Sequence, residues 1–279
     1  MRSYRAAVCY LLLSWISVCG CSSLSPFRVY TSSSGRGMDA IEKIDYRFVQ
    51  QCEANCRDRD LAANSINRLA CNCEDSKRAD SVNMLMYEAV YQYISSLGKL
   101  AEPKLTNYPI KQLGSSVSNT KIIRVSEQEI DAFNTLSDLI SQAITHNYRQ
   151  DKLKAYIISA RVPFNTLVSA LQLNFEKNLK GAIEVRKQRI RSDYYELLSH
   201  KQNTAYEKRK ITEDYYQITE HLDQHIKSLG YFSAILEEIK VGHQQIYQNL
   251  DRLSSTELQN ALVTQASKID GLIELIDKK

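Results

Sequence analysis

Four cysteines, Cys52, Cys56, Cys71 and Cys73, stand within 22 residues of one another. Thiols this close have two common uses. Oxidised, they pair as disulfides; reduced, they hold a metal as thiolates. Cys71 and Cys73 are too near in sequence for an easy mutual bridge. Cys52 and Cys56 would share one helical face, with their Cβ vectors poorly aimed at each other. Cross-pairing of the two short segments fits better, either Cys52–Cys73 with Cys56–Cys71 or the other crossing. Loops of about 15–20 residues closed in this way are worth about 3 kcal/mol each in the chain-entropy model. A four-thiolate zinc site is the alternative. Its spacing, C-x3-C then C-x-C, departs from the usual zinc patterns. Disulfides are therefore the expectation, with no cofactor.

His221 and His225 are the other residues with ligand spacing. Four apart on a helix, they share a face and are weak candidates for chelating a metal. The sequence HLDQH lacks the glutamate of H-E-x-x-H. Leu222 and Ile226 belong to an apolar stripe, which puts both histidines at its border, as on many amphipathic helices. None of the five histidines has Glu three residues before it, so the di-metal bundle pattern is missing. There is no phosphate loop, no G-x-S-x-G and no C-x-x-C-H. The pairs Tyr194-Tyr195 and Tyr215-Tyr216 read as packing groups at helical spacing. No catalytic residue is assigned.

The N-terminus carries an address. Arg2 and Arg5 precede an apolar run over 6–19, and Val18-Cys19-Gly20-Cys21 closes the segment. That order of parts describes a secretory signal peptide, and the run is shorter than the roughly 20 residues that span a bilayer. Its end resembles the lipobox of bacterial lipoproteins: an aliphatic residue, a tolerant position, a small residue, then Cys. The resemblance covers about twenty residues. It implies removal of residues 1–20 and lipidation of Cys21. Ser22 in the next position, where Asp tends to retain lipoproteins in the inner membrane, looks like an outer-membrane address in a Gram-negative cell. Membrane contact would then run through the N-terminal lipid. Losing Arg2 and Arg5 lowers the formal charge from +4 to +2, which gives no argument for nucleic acid. An oxidising compartment also favours disulfides over free thiols.

The elements that must position these residues follow from periodicity. Residues 21–38 are rich in Ser and Gly and read as a lipidated tether able to reach about 50 Å at about 3.3 Å per residue. Residues 39–80 form a cysteine-rich segment of ambiguous secondary structure. From 81 to 279 a helical bundle domain is expected. Val82, Leu85, Met86, Ala89, Val90, Tyr93, Ile94 and Leu97 make one apolar stripe. Residues 102–125 form a long connection. Ser126 with Glu129 is a capping-box signature, as is Ser254 with Glu257. A short helix near 150–160 should end before Pro163. Beyond Pro163 there is no proline, and apolar residues recur every three or four positions, with His200 to Thr204 and Gly242 as breaks. Residues 176–210 are net +5 and residues 213–279 net −5, as suits antiparallel neighbours with complementary faces.

The expected fold is all-α: an elongated antiparallel helical bundle with long C-terminal helices and a small disulfide-stapled N-terminal region. The expected function is that of an outer-membrane-anchored envelope lipoprotein, a non-catalytic binding or structural module acting through contact with another envelope protein. The alternative is a bundle that binds a small molecule or metal, which requires a pocket lined by His221, His225 and neighbouring tyrosines.

Overall fold

A computed structural model describes residues 24–63, 71–100, 120, 122–145 and 150–278. Cys21 and the rest of the expected export signal lie outside the described residues, as does the connection 102–125 up to residue 119. The described elements are α1 (Ser25–Asp39), a 3₁₀ turn (Ala40–Lys43), α2 (Phe48–Ala62), α3 (Glu74–Leu100), α4 (Glu127–Thr145) and α5 (Gln150–Gln172). A π-helical stretch (Leu173–Leu179), α6 (Lys180–Ser199), α7 (Ala205–Gln248) and α8 (Thr256–Asp277) complete them. Among the described residues there is no strand. The fold is an elongated antiparallel helical bundle.

Its spine is a pair of long helices. From Gln150 to Ser199 the chain is helical without a break. It returns as α7, whose 44 residues span about 66 Å at about 1.5 Å per residue. Cross-contacts fix the direction. Lys154 pairs with Asp251, Gln172 Nε2 donates to the Ser233 carbonyl at 3.3 Å, and Lys187 Nζ lies 2.6 Å from Asp223 Oδ2. One number rises as the other falls, so the two run antiparallel. The turn at 200–204 is where the sequence places a break. Thr204 Oγ1 accepts from Glu207 N at 3.2 Å and Thr204 N donates to Glu207 Oε2 at 2.7 Å, closing a capping box.

The π stretch follows from the sequence. Leu171, Phe175, Leu179 and Ile183 are all buried and stand four residues apart. An α-helix turns every 3.6 residues, so each step of four drifts by about 40°, and three steps would carry the stripe about 120° off the core. A wider π turn holds the extra residues and keeps the stripe facing inward.

Three expectations are corrected. The helix near 150–160 does not stop before Pro163. An interior proline costs about 3 kcal/mol, while each large apolar side chain buried in full returns about 1.5–3 kcal/mol. Tyr156, Ile157, Phe164, Leu167 and Leu171 are all at most 1% exposed, so packing outweighs the proline. The carbonyl freed by Pro163 belongs to Ser159, an exposed residue where water can replace the missing donor. Gly242 is not a break but an interior residue of α7, at the point where the Tyr30 ring lies against the helix. The Ser254 cap moves by one residue: Ser255 is the N-cap and accepts from Leu258 N at 3.3 Å. The Ser126–Glu129 box forms as expected.

The tether reading of 21–38 also fails over residues 25–38. Pro26 opens α1, and Phe27, Tyr30, Ser34, Gly37 and Met38 are buried at helical spacing. The small residues allow close approach: a Cβ on Gly37 would stand 2.7 Å from Ile235 and 2.8 Å from Ile269. The helix runs parallel to α8, with Arg36 on Asp270 at 2.8 Å and Lys43 on Asp277 at 2.7 Å, and antiparallel to α7. One core cluster takes in Phe27, Tyr93, Phe232 and Ile276 together, and the boundary expected at residue 80 falls inside α3. Among the described residues no helix is long and apolar enough to cross a membrane.

The packed helices surround only part of the spine. From residue 191 to 218 no residue is buried. The turn between α6 and α7 is thus the tip of a bare two-helix arm.

Candidate functional site

The cysteine pairs are Cys52–Cys73 and Cys56–Cys71, with Cα–Cα distances of 5.8 and 6.0 Å. Cys52 and Cys56 lie one turn apart on α2, and Cys71 and Cys73 lead directly into α3. The first of the two crossings is the one that forms. Asp80, one turn and a half into α3, accepts from the backbone N–H groups of Phe48 and Val49 at 3.0 and 2.9 Å and so caps α2. Disulfides and cap together fix α2 across the start of α3.

His221 and His225 do come together: their Nε2 atoms are 3.0 Å apart. His221 is exposed and His225 buried, its ring 4.4 Å from that of Tyr46. Among the described residues, however, the only cluster of three or more potential metal ligands is the four cysteines. Asp223, between the histidines, turns to Lys187. The pair is a ring-to-ring N–H···N hydrogen bond beside an aromatic ring, and among the described residues no carboxylate or third imidazole joins it.

A third histidine, which spacing does not single out, has the most perturbed environment. His243 is fully buried, and its Nε2 stands 2.8 Å from the Tyr93 hydroxyl. Burial and, after it, the Arg161 charge pull its pKa down to about 3, so the ring is neutral. Burial holds the Tyr93 hydroxyl protonated, and it shares a hydrogen bond with Nε2 whose direction follows the ring's tautomer. Phe164 packs 4.4 Å from the imidazole, and Tyr156 stacks 5.3 Å from Tyr93 and reaches Ser96 at 2.6 Å. His243 Nδ1 is buried with no hydrogen-bond partner among the described residues. This layer fixes the mutual positions of α3, α5 and α7. Sealed from solvent, it gives a substrate no access.

An open groove of 680 Å³ runs between α1 and α3, edged by Arg28, Arg36, Asp39, Tyr91 and Lys99. Neither His221 nor His225 lines this groove, so it is not the pocket that a ligand-binding reading asks of those residues.

The arm is the remaining feature. Arg186 forks onto Asp58 of α2 at 2.8 and 3.0 Å, and Arg189 adds a contact at 3.2 Å, so the base of the arm is tied to the stapled region. Asp58 comes from the polar run Arg57-Asp58-Arg59-Asp60, which spacing leaves without a task. Beyond the base, Tyr195 and Tyr206 are each 77% exposed, with Tyr216 and Leu197 also exposed. The rings of Tyr194 and Tyr215 meet across the hairpin at 5.8 Å. Two of the arm's basic residues are answered by acids on their own helix: Arg209 bonds Glu213 and Lys210 bonds Asp214, each at 2.8 Å. The basic stretch is therefore not a one-signed surface. No family model, curated protein or solved structure matches the chain.

Proposed function

We propose that the chain is a lipoprotein of the bacterial envelope, exported by residues 1–20 and held in the outer membrane through Cys21. It works without catalysis, as a binding or structural module that presents its two-helix arm to another envelope protein. The observation that carries this is the arm: no buried residue from 191 to 218, yet four large apolar side chains exposed around its end. Tyrosines on a rigid element bury large area at low entropic cost, which is why they are enriched at protein contacts.

The corrected N-terminus sharpens the geometry. With Cys21 as anchor and α1 beginning at Ser25, only residues 22–24 intervene, a reach of about 10 Å at about 3.3 Å per residue. The start of α1 lies level with the C-terminal end of α7, since Tyr30 packs at Gly242. The arm tip, at the other end of α7, then stands about 60 Å away along the helix at about 1.5 Å per residue.

A photo-crosslinking residue placed at Tyr195 or Tyr206 tests the reading in intact cells. Both positions should give the same discrete adduct, and Val162, 71% exposed on the packed body, should not. Equal adducts from Val162, or none from the arm, would remove the arm from the proposal. Mass spectrometry of the mature N-terminus tests the anchor: an unmodified Cys21 refutes it.

A further inference from the structure

The two disulfides are not separate staples. All four Sγ atoms lie within 4.8 Å of one another. Those of Cys71 and Cys73, which are not bonded to each other, are 3.4 Å apart. A zinc ion bound to four thiolates at about 2.3 Å spaces its sulfurs by about 3.8 Å. The unbonded pairs thus already approach the spacing of a tetrahedral thiolate site. Breaking the two S–S bonds lets the bonded pairs spread toward it.

The surroundings suit the charge of such a centre. Four thiolates on a divalent ion leave a net charge of about −2, which needs donors around the sulfur. Arg59 Nη2 stands 3.2 Å from Cys56 Sγ. Cys71 and Cys73 immediately precede α3, whose N-terminal end carries partial positive charge. Cys56 and Cys73 are buried, so two of the four sulfurs are screened from water.

We propose that, with both disulfides reduced, Cys52, Cys56, Cys71 and Cys73 bind one thiophilic divalent metal of the zinc class. Each disulfide takes two electrons and two protons from a dithiol reductant, which leaves as its own disulfide. The four thiols then release four protons to water as the metal binds. The segment 52–56 stays clamped to the start of α3 in either redox state, by two S–S bonds in one and by four metal–sulfur bonds in the other.

Cobalt is the probe, because thiolate ligation gives it a charge-transfer band and tetrahedral geometry gives it visible d–d bands. The full chain, in detergent, is reduced with a dithiol, freed of it without oxygen, and titrated with Co²⁺. The reduced chain should bind one Co²⁺ with both signatures, and Zn²⁺ should displace it. The oxidised chain should show neither. Cys56→Ser and Arg59→Gln should each weaken Co²⁺ binding at least about tenfold, with helicity checked by circular dichroism. Replacing His221 and His225 by Ala should leave uptake unchanged. A reduced chain that keeps its helicity but takes no Co²⁺ overturns the proposal. So does uptake without the charge-transfer band, or uptake lost with the histidines. If reduction unfolds the chain, refolding by Zn²⁺ supports the site and failure to refold overturns it.

Discussion

His243 sits wholly within the core, with its pKa drawn from 6.5 down to about 3, chiefly by burial. In the unfolded chain the imidazole takes its proton near the ordinary value. Between those two values the unfolded state binds a proton that the folded state refuses. The stability tied to the neutral ring is thus fully present above about pH 6.5 and lost as the pH falls toward about 3. Each pH unit in that window costs about 1.4 kcal/mol, so moving from pH 7 to pH 5 should cost about 2 kcal/mol. Replacing His243 by Phe removes this loss. It also strips the Tyr93 hydroxyl of its hydrogen-bond partner, a penalty of about 1–3 kcal/mol at any pH, which Tyr93→Phe in the same chain should largely recover. Urea unfolding at pH 7 and pH 5 measures all of it. Other titrating groups are common to both proteins and cancel, so the wild type should lose about 2 kcal/mol more than His243→Phe between the two pH values. Equal losses would show that the imidazole is not kept neutral by the core.

Gly242→Ala should destabilise by about 1–3 kcal/mol in thermal melts, because its Cβ would press into the Tyr30 ring and outweigh the helix propensity gained. Gly181→Ala, with nothing within 4 Å of the new Cβ, should instead stabilise by up to about 1 kcal/mol. Asp58→Ala leaves Arg186, whose side chain is 11% exposed, without its forked partner and should cost about 3 kcal/mol. Asp214→Ala, on the exposed arm, should cost less than about 1 kcal/mol by the same chemical denaturation. Small-angle scattering from the chain lacking residues 1–21 should give an elongated particle, and a sphere would contradict the arm.

The long helices were legible because burial on one face leaves a period that the eye can count. Leu222, Leu229, Phe232, Ile239 and Ile246 mark α7 whatever lies between them. The cysteine crossing was legible in part, since spacing excluded the local bridges but left two crossings equal. Which one forms depends on how α2 lies across α3, and that is set by distant contacts such as Asp80 to Phe48. Composition misled at α1: Ser and Gly there supply a thin face for close packing, so the polar count hid the spacing of Phe27, Tyr30 and Met38. Pro163 misled because local propensity carries no information about the burial that overrides it. His243 gave no signal at all. A lone histidine on an apolar stripe becomes unusual only when Tyr93, 150 residues away, arrives beside it.

The long helix from Ala205 to Gln248 belongs to two parts of the molecule at once. Its C-terminal half is locked in the core by Phe232, Ile239 and His243, and its N-terminal half is one rail of the arm. No loop separates the halves, so the height of the tip above the core is a count of residues. Removing seven from each rail would lower it by about 10 Å and turn its face by only about 20°. The height of the tip is thereby graduated in helical turns, from a zero that packing fixes.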